Sequence, residues 1–212
     1  MMMQHDKFDG VPIAVGIGDR FDDRMRRIRA DMLHFASRKA HDDSPWFAIR
    51  VMSGREKAVN SALEDADIEA LVPMRMGPEY RRRGRVIPPV PIPVMTGYVL
   101  VRFAASDEAF LAIRGLQHVI DVLGGCASPM RIADCEVKRF KALADDGSLD
   151  WEKPTTVFRK GEKVRISAGP LASLHGRIIT CRSDGKGDAV VEVMMFGRET
   201  PTLVPLANLE KV

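Results

Sequence analysis

Covalent or metal-based catalysis needs a nucleophile beside a base, or three to four ligands at short spacing. The 212-residue sequence assembles neither. Cys126 and Cys135 have no histidine at ligand spacing, and Cys181 stands alone. His118 and His175 are lone histidines that read as surface or turn residues. Gly161, Gly169 and Gly176 read as turn glycines, without the spacing of a phosphate loop. The expectation is therefore no enzyme, no metal and no cofactor. The residues that could do chemistry are Arg81-Arg82-Arg83-Gly84-Arg85, with Glu79 the only acid nearby. Guanidiniums this close repel one another unless an anion sits between them, and phosphate is the commonest such anion. The other reading is a solvated hairpin tip.

Composition narrows the setting. The chain has 32 Lys+Arg against 29 Asp+Glu, a net charge of +3. Residues 1–43 carry 8 basic and 8 acidic side chains and residues 44–154 carry 15 of each, so the surplus falls in the last segment. That is too small to announce tight nucleic-acid binding by charge alone. The 45% apolar content suits a packed core and argues against wholesale disorder. No apolar run approaches the ~20 residues of a membrane span. The best early run, Val11 to Gly18, holds two glycines and a proline and makes a poor secretory signal. Three scattered cysteines do not make a disulfide framework, so the expectation is a cytoplasmic protein with no membrane partner.

The elements that would hold these residues follow from periodicity. Residues 1–19 read as a loose tail. From about 21 to 40, Met25, Ile28, Met32 and Phe35 recur at spacings of three and four, which predicts an amphipathic helix. Such a helix is marginal alone. It must pack back on the next domain or fold on a partner, and the polar break from His41 to Pro45 favours a partner-dependent, otherwise mobile helix. Trp46 to Val51 reads as a strand, Ser53-Gly54-Arg55-Glu56 turns into a helix with Ala58, Val59, Ala62 and Leu63 as its apolar positions, and Glu69 to Met76 reads as a strand. After the arginines, Pro88 to Pro93 is a stiff extended segment. Gly97 to Phe103 is the cleanest strand; Ser106 caps a helix, Val119 to Leu123 is a strand, and Asp134 caps a last helix that ends near Gly147. Helices alternating with short strands over about 100 residues imply an α+β, ferredoxin-like sandwich for residues 45–145. Residues 146–156 are polar and broken, hence a linker. Residues 157–212 read as four short strands separated by Gly and Asp-Gly turns, hence a small β-barrel tumbling separately from the first domain.

At this point the motifs become specific. Phe158-Arg159-Lys160-Gly161-Glu162-Lys163-Val164-Arg165-Ile166, Gly169-Pro170-Leu171-Ala172, His175-Gly176-Arg177-Ile178 and Phe196-Gly197-Arg198-Glu199-Thr200-Pro201 resemble a KOW domain of SH3-like barrel fold. The last of them is similar to the ending found in the bacterial NusG family. Trp46-Phe47-Ala48-Ile49, Gly54-Arg55-Glu56-Lys57, Leu71-Val72-Pro73, Met95-Thr96-Gly97-Tyr98-Val99-Leu100-Val101, Gly124-Gly125, Pro129-Met130-Arg131-Ile132 and Glu136-Val137 resemble the amino-terminal domain of that family, in its order. The resemblance spans about residues 45–212 and leaves residues 1–44 unmatched. Met95-Thr96 in place of the usual Phe-Pro, and Leu171 and Leu174 in place of two loop phenylalanines, mark a divergent or specialised paralog.

The resemblance implies a transcription elongation or antitermination factor that works by binding. It places a polymerase-docking patch, for a coiled coil of the largest-subunit clamp, at Trp46, Phe47, Met95, Tyr98 and Leu100. Alternating Tyr98 and Leu100 could equally be a core face. Arg81, Arg82, Arg83 and Arg85 would face upstream DNA or the polymerase surface. Leu171, Leu174, Phe196 and Arg198 would recruit Rho or a small-subunit ribosomal protein, with barrel core as the other reading of Phe196. A monomer is expected. The reading of another class is a KOW protein that binds ribosomal RNA on the translation side, against which the full set of amino-terminal motifs speaks.

Overall fold

The strand β1 (Trp46–Val51) has β-branched and aromatic side chains that alternate between two faces, and it forms the centre of an antiparallel sheet. Its neighbours are β7 (Tyr98–Arg102), paired Trp46 to Arg102 through Arg50 to Tyr98, and β8 (Val119–Val122). β2 (Glu69–Leu71) flanks β7, so the order is β2-β7-β1-β8, with the short β9 (Arg131–Ile132) also on β1. Helices α2 (Glu56–Glu64) and α3 (Asp107–Arg114) connect these strands as in a ferredoxin-like sandwich. These observations come from a computed structural model that describes residues 21–38, 44–152, 155–195 and 197–212.

The odd and even positions of β1 and β7 enter different cores. Phe47, Ile49, Val99, Val101 and Phe103 face α2 and α3. Trp46, Ala48, Tyr98 and Leu100 face the other way. Ser106 caps α3, its hydroxyl accepting from the Ala109 N–H at 3.2 Å. The cap of α4 (Asp134–Asp145) differs from the expectation: Ala133 occupies the capping position and Asp134 is the first helical residue. Its carboxylate is engaged elsewhere, with the Trp46 indole and with Lys138.

The predicted strand from Glu69 to Met76 is two strands. Val72-Pro73 interrupts it, and β3 (Met74–Met76) pairs with β6 (Pro91–Pro93) outside the main sheet. Between them β4 (Tyr80–Arg82) and β5 (Arg85–Ile87) form a projecting two-stranded ribbon.

The carboxyl-terminal residues build a second sheet from β10 (Lys163–Ile166), β11 (His175–Thr180), β12 (Asp188–Met195), β13 (Arg198–Pro205) and β14 (Leu209–Lys211), in the order β13-β12-β11-β10-β14. The molecule is thus α+β, a ferredoxin-like sandwich joined to a small barrel-type β domain. β14 lies beyond the last turn signal and escaped the periodicity reading.

The first helix, α1 (Phe21–Arg38), corrects an expectation. It packs on α3, and Leu33, only 4% exposed, joins the helix-side core with Met32 against it. Ile28, assigned to the buried stripe, is exposed, and the contact with the core runs through Met32 and Leu33 instead. The side chain of Phe35 lies outside the described residues.

Candidate docking face

Among the described residues, the sheet face bearing Trp46, Ala48, Tyr98 and Leu100 is covered by α4 and by the β domain. Trp46, Met95, Tyr98, Leu100, Phe140 and Leu149 share one continuous buried cluster with Ala168, Leu171, Val204 and Leu206 of the β domain. Polar contacts cross the same boundary. The Tyr98 hydroxyl hydrogen-bonds the Thr202 side chain, and burial pushes its phenol above the ordinary value while this bond pulls it back. Gly169 packs against the tip of the Phe140 ring, where a Cβ would stand 3.1 Å from the ring carbon Cζ. The expectation of a separately tumbling barrel is therefore corrected: apolar side chains on both domains bury one another.

A clasp sits at the edge of this boundary. The Arg75 guanidinium meets Asp188 at 2.6 Å, with 2% and 8% of the two side chains exposed. Its other nitrogen donates to the Leu149 carbonyl at 3.3 Å, and the guanidinium lies 5.5 Å from the centre of the Trp151 ring. Gly187 packs against the same tryptophan: its N–H donates to the Trp151 carbonyl at 3.2 Å, and a Cβ would come within 2.6 Å of the indole. Burial holds the Asp188 carboxyl above the usual carboxylate range, and Arg75 pulls it down. The expected linker is thus bound in place at Leu149 to Trp151, through Arg75, the Met76 carbonyl and the β domain.

The face is set from the other side by Glu56. This buried carboxylate begins α2 and accepts the Gly97 N–H at 2.7 Å, while the Gly97 carbonyl accepts the Val51 N–H at 2.8 Å. The turn Met95 to Gly97 is thereby fixed at the end of β1. At the far end the Trp46 indole donates to Asp134 at 3.1 Å, and Arg102 lies 5.3 Å from the centre of its ring. Lys138, at 2.6 Å, and the Trp46 indole together hold the Asp134 carboxyl below its ordinary value.

Of the residues predicted for docking, Trp46, Met95, Tyr98 and Leu100 come together on this face, all buried beneath the covering domain and α4. Phe47 does not: strand alternation sends it into the helix-side core, its ring 4.9 Å from Phe103 and 5.1 Å from Phe110. Leu171 is wholly buried and Leu174 half-buried in the same shared cluster, whereas Arg198 is exposed. Phe196 lies outside the described residues. Arg81, Arg82, Arg83 and Arg85 are exposed on the ribbon, and none of their side chains makes an ion pair or hydrogen bond among the described residues. Sequence reasoning missed Arg75, Asp188 and Thr202, which carry no local pattern. Trp151 had a signal, a lone indole in a polar stretch. Among the described residues no group of three or more potential metal ligands comes together, and no helix is long and apolar enough to cross a membrane.

A family profile described as "Transcription termination factor nusG" matches residues 44–141. The Pseudomonas aeruginosa transcription termination/antitermination protein NusG is 30% identical over 184 residues, covering 79% of this chain and 98% of that protein. The Escherichia coli protein of the same name is 30% identical over 182 residues, covering 78% and 95%. A solved structure described as "Domain interaction in Thermotoga maritima NusG" aligns at 24% identity with a TM-score of 0.42, covering 80% of this chain and 98% of that one.

Proposed function

The chain belongs to the NusG family of transcription termination/antitermination factors, and from that premise we propose that it acts by docking Trp46, Met95, Tyr98 and Leu100 on RNA polymerase. The occupant is the coiled coil of the largest-subunit clamp. One observation carries the reading: an apolar sheet face with a hydrogen-bonding tyrosine is covered by a second folded domain, not by its own fold alone. A cover of that kind can leave without unfolding either partner. An apolar face with a Tyr at its centre has the composition of a protein-binding hot spot.

In this reading docking requires the β domain to leave, because both would occupy the same face. The loop carrying Leu171 and Leu174 is released in the same step, and with Phe196 and Arg198 it recruits Rho or a small-subunit ribosomal protein. The arginine ribbon contacts upstream DNA. No bond is made or broken; binding free energy shifts a conformational population. Two binding events that both require opening favour each other, each raising the affinity of the other by the same factor.

The test is a polymerase pull-down with Tyr98→Ala/Leu100→Ala. Binding is expected to fall by at least the ~2 kcal/mol of a hot-spot residue, with the circular dichroism spectrum retained. Undiminished binding would remove the assignment.

A further inference from the structure

We propose that Glu56 is a positioning residue for polymerase docking: its hydrogen bond to Gly97 selects the turn conformation that presents Met95 and Tyr98 together. This rests on the reading of that face as the docking site and adds the group that holds it in shape.

The turn is Met95-Thr96-Gly97-Tyr98, closed by the Tyr98 N–H, which donates to the Met95 carbonyl at 3.4 Å. A β-turn holds its first and fourth residues within about 7 Å of each other, and here those two are docking residues. Gly97 stands third with φ 84°, the left-handed value that a type II turn requires at that position. A type I turn joins the same ends with its central peptide turned over. Glycine adopts either conformation without steric cost, so the sequence of the turn leaves the choice open. What the Gly97 N–H meets must decide it.

It meets the Glu56 carboxylate at 2.7 Å. Glu56 is only 2% exposed, so water does not compete for this bond. Turning the central peptide over would carry the N–H away and leave a buried carboxylate without it, and hydrogen bonds to charged groups are the strong ones. A carboxylate is tolerated here because it begins α2, at the positive end of the helix. The rest of α2 faces elsewhere: Val59 and Leu63 fill the helix-side core. Glu56 thus acts on the docking face through the backbone of Gly97. Without it the turn populates both conformations, and apparent affinity falls with the fraction that is competent to dock.

The experiment is fluorescence anisotropy of the labelled full chain with RNA polymerase, with circular dichroism verifying the fold of each variant. Glu56→Leu keeps the bulk and removes the acceptor; affinity should fall about 10- to 100-fold. Glu56→Gln keeps an oxygen for the Gly97 N–H and should bind more tightly than Glu56→Leu. Gly97→Ala leaves Glu56 in place and penalises the left-handed φ; its Cβ would meet only the Val51 carbonyl at 3.5 Å and the Ser53 hydroxyl at 3.6 Å, ordinary contacts. It too should bind more weakly. Val59→Ala, a cavity in the same helix away from the turn, should bind like the parent. Parent-like affinity of Glu56→Leu or, should that variant not fold, of Gly97→Ala overturns the inference. So does a Glu56→Gln no better than Glu56→Leu, or a Val59→Ala that weakens binding as much. Tyr98→Ala/Leu100→Ala in the same assay separates the two levels. If it loses binding while Glu56→Leu does not, the inference alone falls; if it binds like the parent, the docking reading falls with it.

Discussion

Asp184 accepts from the Arg182 guanidinium at 2.6 Å and from the Lys186 N–H at 3.2 Å, at the turn before β12. These contacts, the arginine first, lower its carboxyl from 3.8 to about 2. The folded value lies below the unfolded one, so the stabilisation is present above the ordinary value and is lost as pH falls towards about 2. A carboxyl-carbon NMR titration should find the Asp184 midpoint at about 2, and Arg182→Ala should move it up towards the ordinary range. Single residues also show how strand alternation sends neighbours into different cores. Trp46 and Phe47 are neighbours in one motif, yet the pleat sends Trp46 to the face the β domain covers and Phe47 between Phe103 and Phe110. Alternation was visible in the sequence; which parity faced the helices was not, because both parities of β1 and β7 are apolar.

At the scale of elements, α1 is the largest departure from expectation. Its period announced a helix, and a helix spans Phe21–Arg38. Its partner is α3, with Leu33 buried in the helix-side core, so the amphipathic face is used within the chain. Deleting residues 1–43 should therefore lower the melting temperature, where a partner-dependent helix would leave it unchanged. Full burial of a leucine contributes about 2–3 kcal/mol, and each kcal/mol moves the midpoint of a chain this size by about 2–4 °C. A fall of roughly 5–10 °C is expected in differential scanning calorimetry; an unchanged midpoint would return α1 to the partner-dependent reading.

At the scale of the whole molecule, the β domain and the sheet face bearing Trp46, Tyr98 and Leu100 bury one another in a single shared cluster. Arg75 and Asp188 are the charged pair at that boundary. Removing one member of a buried pair leaves an uncompensated charge and costs about 3–5 kcal/mol, whereas replacing both with apolar residues of similar size is near neutral. Arg75→Ala should open the molecule, and Arg75→Met/Asp188→Leu should keep it closed. Nitrogen-15 relaxation reads the difference as independent or joint tumbling of residues 46–145 and 163–211. The Tyr98 phenol gives a second reading: raised by burial when closed, it should return towards its ordinary value in Arg75→Ala. If the opened variant also binds polymerase more tightly, closure limits docking; equal binding would mean that the face is reached without opening.

Local pattern determined most of the architecture. The alternating runs of β1 and β7, the Ser106 cap, the Asp-Gly and Gly-Lys-Gly turns and the basic tip are properties of short stretches of chain, governed by backbone sterics and side-chain periodicity. Motif order over residues 45–212 was enough to indicate the family. Tertiary structure alone decided how the two domains meet. Arg75 finds Asp188 across 113 residues and Tyr98 finds Thr202 across a domain boundary, and no period or spacing encodes such pairs. The same apolar residues suit an exposed docking patch, a private core or a shared one, because burial is non-directional. Which of these they form depends on the shape and position of the surface that covers them, and that exists only once both domains have folded.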